Sequence, residues 1–184
     1  MKHEDEIRKI LSAVTASGTL KSRESNTVEF KEAFNKNSTA KYAKTMAAYA
    51  NNRGGYIIFG VKDNPREVVG LKNNNFENLS QEQFTDAVNS MFAPAIDWEC
   101  GTVLAGTEQV ITSSSGETET KNIEKKVGWL YTEQADNKPI IAQKAESGEK
   151  ISSGDVFYRY RARSEKIKHA EMYRIVEDRA AKER

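Results

Sequence analysis

The chain reads as an α+β protein in which a mixed β-sheet is packed by helices. Three observations carry that reading. Residues 56–61 are almost wholly apolar, the pattern of a central strand covered on both faces. Stretches with helical spacing lie before and after it. A block of further strand-like runs then leads to a last amphipathic helix.

Taken in order, residues 4–16 read as a helix, with Ile7, Ile10, Leu11 and Val14 on one face and Gly18 ending it. Val28-Glu29-Phe30-Lys31 alternates as a strand. Ser38 or Thr39 caps a helix over 39–51 whose buried stripe is Ala43, Met46, Ala47 and Ala50. Gly54-Gly55 stops it, because glycine accepts the left-handed conformation at a helix end. Gly60 within the central strand marks a bulge or a close approach. Ser80-x-x-Gln83 is a capping box for a helix carrying Phe84, Ala87, Val88 and Met91, and Pro94 closes it. Strand-like stretches follow near 96–105, 123–132 and 139–143, with Thr112–Thr120 a polar hairpin loop. Val156–Arg163 reads as one strand, and 169–182 as a helix using Met172, Tyr173, Ile175 and Val176.

Composition narrows the function. Hydrophobic residues make up 38% of the 184, enough for a folded core, and no apolar run approaches the ~20 residues a membrane span needs. The amphipathic start lacks the apolar core of a signal peptide, so a cytoplasmic protein without membrane partners is expected. The single cysteine, Cys100, excludes a multi-cysteine zinc site and reads as a small strand side chain. His3 and His169 lie at opposite ends, so Ser-His-Asp or Cys-His chemistry has little support. No GxxxxGK[ST] occurs, so no ATP site is expected. Net charge is only +1, yet from Lys150 onward ten Lys or Arg stand against six Asp or Glu. Such a local basic region suits phosphates.

Two constellations could carry chemistry. Glu24 and Glu29 are five apart, so neither a continuous strand nor a helix brings them together. They converge if the backbone bends at Ser25-Asn26-Thr27. Asp63 follows the central strand at its carboxyl end. If the 24–31 segment pairs beside that strand, Glu24, Glu29 and Asp63 face one Mg²⁺ or Mn²⁺, with Lys31 helping to neutralise a phosphate. The competing reading leaves Glu24 solvated, pairs Glu29 with Lys31 or Arg53, and puts Asp63 in a turn with Asn64-Pro65. The second constellation is Phe157–Arg163. Period two aligns Arg159, Arg161 and Arg163 with Phe157 on one face, extended by Lys166 and Lys168, for binding nucleic-acid phosphates. The alternative is a solvated face paired with Glu165 or Asp155.

Glu24-x-x-x-x-Glu29-Phe-Lys31, Asn51-x-x-Gly54-Gly55 running into Gly60-Val61-x-Asp63, Val69-Gly-Leu71, Pro94 and Tyr158-Arg-Tyr-Arg161 together resemble the divergent AlbA-type putative DNA-binding domain. This module is shared with the core of Schlafen proteins. The resemblance is to its prokaryotic form and covers about residues 20–178, leaving 1–19 as an N-terminal helix and 179–184 as a charged tail. It implies an α+β fold and nucleic-acid association, RNA favoured and DNA admitted. Schlafen-type members further imply metal-dependent endoribonuclease cleavage of tRNA-like RNA by three carboxylates, which map onto Glu24, Glu29 and Asp63. The zinc-binding cysteines of animal Schlafens are absent. So is their second copy of the fold, which a homodimer would supply. Two other readings compete: a non-catalytic DNA- or RNA-binding module of a transcription regulator or defence protein, and a structural dimerisation module.

Overall fold

A computed structural model describes residues 2–184, apart from the side chains of Thr107, Glu108 and Gln109. The elements are α1 (Lys2–Ser12), β1 (Val28–Lys31), α2 (Thr39–Ala50), β2 (Gly55–Phe59), β3 (Val61–Lys62), β4 (Glu67–Val68), α3 (Gln81–Met91), β5 (Phe92–Ala93), β6 (Trp98–Thr112), β7 (Thr118–Thr132), β8 (Ile141–Ala142), β9 (Phe157–Tyr160), β10 (Arg163–Lys166) and α4 (His169–Lys182). The fold is α+β, as expected. Its main sheet is mixed, in the order β1-β2-β7-β6, with β1 parallel to β2 and the other pairs antiparallel.

The apolar run of β2 is explained by its two neighbouring layers. Ile57 and Phe59 enter a core beneath α2, and Ile58 enters a second core on the α1 side. Alternation along one strand therefore feeds both cores. The alanines of α2 let it lie close to the sheet. Ala43, Met46, Ala47 and Ala50 are wholly buried, and a Cβ on Gly55 would stand 2.7 Å from the Tyr49 ring.

Several boundaries differ from the periodic reading. α1 stops at Ser12, because Val14 pairs across a turn with Leu20 and the Ala13 carbonyl accepts from the Lys21 N–H. A tertiary bridge has taken the last expected helical turn. α3 begins as expected, with Ser80 Oγ accepting from the Gln83 N–H. It ends before Pro94, where Phe92-Ala93 pairs with Ile141-Ala142. β6 and β7 run as a two-stranded ribbon of 15 residues each, so the loop expected at Thr112–Thr120 shrinks to 113–117. Their Thr-rich ends favour the pleated state, and ladder hydrogen bonds form there without a core.

The strand expected over Val156–Arg163 is instead the β9–β10 hairpin, turning at Arg161-Ala162. Arg161 adopts φ +51° there. Among the described residues no helix is long and apolar enough to cross a membrane.

Gly60 ends β2 at φ +102°, where a Cβ would stand 2.9 Å from the Gly70 backbone. Gly60→Ala is expected to cost about 2 kcal/mol or more, from the disallowed φ and the clash together. Gly148→Ala meets only the flexible Glu146 carboxylate, at 3.3 Å. It is expected to stay within about 0.5 kcal/mol, both variants being compared with wild type by urea unfolding.

Candidate functional site

The segment before β1 bends as the Ser-Asn-Thr composition suggests. The Ser25 N–H donates to the Val28 carbonyl at 2.9 Å, and Thr27 N–H donates to Ser25 Oγ at 3.2 Å. The bend folds Glu24 back, so that its Oε1 accepts from the Phe30 N–H at 3.0 Å. Beyond it, β1 lies parallel to β2, with Glu29 in register with Ile57. Glu29 thus projects from the α2 face of the sheet, and it is buried.

The charge there is matched by two cations. Lys31 Nζ lies 2.7 Å from Glu29 Oε1, and Arg159 Nη1 lies 3.3 Å from Oε2. Arg159 is itself only 2% exposed. Its Nε donates to the Ser25 carbonyl, Nη2 to the Val28 carbonyl, and Nη1 also to Ser164 Oγ. Its guanidinium sits 5.2 Å from the Tyr49 ring centre. Burial there pushes the Tyr49 phenol far above its ordinary range.

This arrangement changes the reading of the basic strand. Arg159 does not share an exposed row with Arg161 and Arg163. It points inward beside Phe157 and serves Glu29, so it is withdrawn from any phosphate-contacting set. Arg161 lies exposed on the turn, its N–H bonded to Asn26 Oδ1. Arg163, Lys166 and Lys168 are also exposed. Arg163 and Lys166 have loose acidic neighbours, Glu165 at 4.0 Å and Asp155 at 3.4 Å. Pairs this exposed contribute little. Lys31 is half-buried and committed to Glu29.

The outward side of β9 carries Tyr158 and Tyr160, their ring centres 5.1 Å apart. Lys168 Nζ stands 4.7 Å over Tyr160. The Tyr160 hydroxyl donates to Glu171 at 2.8 Å and accepts from the Lys168 N–H at 2.8 Å. That bond holds the Glu171 carboxyl below its usual range. Partial burial raises the Tyr158 phenol, while the nearby charges of Arg174 and Arg53 pull it down.

Asp63 lies on the exposed turn between β3 and β4. Among the described residues no three His, Cys, Asp or Glu side chains gather closely enough to hold a metal ion. The Mg²⁺ or Mn²⁺ that the resemblance implies does not fit this donor set. Glu29 has both oxygens occupied by cations, and Glu24 spends one on a backbone amide. Two parts of the competing reading form: Glu29 pairs with Lys31, with Arg159 rather than Arg53 as its second partner, and Asp63 sits in a turn with Asn64-Pro65. Cys100 is also quiet chemically, since burial pushes its thiol up.

The sequence reading missed what Asn51 and Asn52 do. Asn51 Nδ2 donates to the Ile140 and Phe157 carbonyls, and its Oδ1 accepts from the Ile140 N–H at 2.7 Å. Asn52 Nδ2 donates to the Arg159 carbonyl, and its Oδ1 accepts from the Tyr158 hydroxyl. Two adjacent asparagines at a helix end are the signal that could have flagged this staple.

Residues 24–168 match the family described as Schlafen, AlbA_2. The chain belongs to that family. A protein of Ureaplasma parvum serovar 3, named "Uncharacterized ATP-binding protein UU034", is 52% identical over 183 residues. All of the chain aligns to it, yet the chain spans only 50% of that relative's length. The crystal structure of the DIP2311 protein from Corynebacterium diphtheriae superposes at a TM-score of 0.53 with 17% identity, covering 92% of this chain and 30% of that one. This second likeness concerns the fold alone. The first overturns an expectation: the missing GxxxxGK[ST] loop had been read as no ATP site, and a family member this similar carries an ATP-binding name. A phosphate loop is one nucleotide cradle among several.

Two predictions follow from the buried charges and the tyrosines. Arg159→Ala strands Glu29 with Lys31 alone and is expected to destabilise by about 3 kcal/mol. The Glu29→Ala, Arg159→Ala double variant is expected to cost clearly less than the two single losses added, read as a coupling energy in urea unfolding. Separately, burial pushes the Tyr160 phenol from 10.0 up to about 12. A raised phenol favours the folded state fully below its unfolded value, and that contribution is lost as pH climbs through the folded one. Stability should therefore fall between pH 10.0 and about 12, and Tyr160→Phe should flatten that part of the curve.

Proposed function

We propose that this chain is a nucleic-acid-binding domain, with RNA its preferred ligand. The observation that carries the reading is the β9–β10 turn. It presents Arg161, Arg163, Lys166 and Lys168 to solvent, beside the Tyr158–Tyr160 pair. Exposed cations on one hairpin suit backbone phosphates. Half-buried tyrosines beside them suit the stacking of unpaired bases, which RNA loops offer more often than a DNA duplex does. Membership of the Schlafen, AlbA_2 family agrees with this ligand class. The buried Glu29–Arg159 pair then acts as the support that aims the hairpin, and binding needs no metal. A second reading is favoured by the name of the Ureaplasma relative: ATP is bound by this chain, or by the half of that relative which the chain does not span.

The test of the first reading is a gel-shift titration with labelled tRNA and a matched DNA duplex over a range of salt. Wild type should prefer tRNA and bind less tightly as salt rises. Arg161→Glu with Arg163→Glu should reduce the salt slope by about two and weaken binding about tenfold or more. Equal binding by this variant overturns the reading. Run with Mn²⁺ and with chelator, the tRNA should stay intact in both. Fragments that depend on Mn²⁺ and vanish in Glu29→Ala would instead make the domain a nuclease.

A further inference from the structure

A cleft of about 280 Å³ opens where the first turn of α1 meets the Gly54-Gly55 turn. Its walls include Lys2, Glu6, Arg53, Tyr56 and Tyr131, and its floor is the bare backbone of Gly54 and Gly55. Tyr56 and Tyr131 face each other across β2 and β7, in register, with ring centres 4.7 Å apart. Both rings are half-buried. The Tyr56 ring is held in place, because its hydroxyl bonds His3 Nδ1 at 2.7 Å and the His3 ring lies 4.5 Å from Tyr131. Close packing against β7 demands glycine here, since a Cβ on Gly54 would stand 2.6 Å from the Thr132 carbonyl. Among the described residues, neither Lys2 nor Arg53 is within ion-pair distance of a carboxylate.

From this we infer that the cleft between α1 and the Gly54-Gly55 turn binds a purine mononucleotide, with the base against Tyr131 and Tyr56 and the phosphates on Arg53 and Lys2. The inference rests on the nucleotide reading given above and assigns it to this half of the longer relative. Each part of the ligand has its match. Fixed tyrosine rings accept the face of a base, and every base offers one. Cations without acidic partners, beside a glycine floor that admits close approach, suit phosphate oxygens. At about 280 Å³ the cleft lies just below the usual range of ligand sites, about 300–1,000 Å³, so the phosphates extend beyond it to the rim. The surrounding charge argues for one nucleotide rather than a continuing chain. Glu6, Glu99 and Glu133 lie close enough for their charge to act on the Tyr56 phenol. Acidic groups on that side repel further phosphates, yet they accept hydrogen bonds from the exocyclic amine of adenine.

The test is a fluorescence titration of this chain with N-methylanthraniloyl-ATP, followed by competition with unlabelled ATP and with a short oligonucleotide. The expected result is saturable binding displaced by ATP. Arg53→Glu, an exposed position that leaves the core intact, should weaken it about tenfold or more. Tyr131→Ala should weaken it too, while Tyr131→Phe, which keeps the ring, stays within about threefold. Circular dichroism confirms that each variant is folded. Binding that Arg53→Glu and Tyr131→Ala leave unchanged overturns the cleft but leaves the nucleotide reading standing. No binding by wild type overturns the cleft and the reading that this chain binds ATP, and leaves the nucleotide to the other half of the longer relative. Displacement by the oligonucleotide alone makes the cleft part of the nucleic-acid interface and also overturns the proposal.

Discussion

The fold around the site depends on one buried guanidinium. Arg159 brings a full charge beneath α2, where an unpaired ion would cost several kcal/mol. It is tolerated because its donors meet the Ser25 and Val28 carbonyls, the Ser164 hydroxyl and the Glu29 carboxylate together. These acceptors come from three places in the chain: the bend before β1, β1 itself and β10. Satisfying one side chain therefore joins the edge of the sheet to a hairpin more than 130 residues later. Losing either partner leaves the other buried with an incomplete set of contacts, so the pair ties the position of the hairpin to that of β1.

Next to it, Asn51 and Asn52 perform the same task with neutral groups. They end α2 and immediately bind the backbones of Ile140, Phe157 and Arg159. A buried amide that fills its hydrogen-bonding capacity specifies one neighbour geometry and penalises others. The glycines that follow return the chain into β2 and leave bare backbone at the α1 end of the sheet. One short run, Asn51 to Gly55, thus fastens the hairpin on one side and floors a cleft on the other. The basic hairpin and the tyrosine cleft flank the same turn, with Arg53 between them.

Much of this was legible from local pattern. The double-faced strand, the alanine stripe of α2 and the Ser80 cap follow from periodicity and turn chemistry, and Ser25-Asn26-Thr27 has the composition of the bend that forms there. The basic strand was misread for a reason visible in its own residues. Arg159 shares its face with Phe157, and a face that buries phenylalanine is a core face. Period two gives the side each residue takes, but not which side water occupies. The hairpin turn carries no glycine, proline or asparagine of its own. Asn26, from another part of the chain, holds the Arg161 backbone in its unusual conformation.

The carboxylates mark the limit most clearly. Glu24, Glu29 and Asp63 have the residue types of a metal site, and the sequence could not tell whether cations or a metal would satisfy them. That depended on Arg159, 130 residues away from Glu29, and on where the turn after β3 carries Asp63. Local pattern in the sequence settled the central apolar strand, the α2 stripe and the Ser80-capped helix. Those follow from backbone geometry and hydrophobic burial, which act within a few residues. Only the tertiary structure decided which charges are buried as partners and which are presented to a ligand. Electrostatic pairing joins groups by distance in space, and sequence separation does not record it.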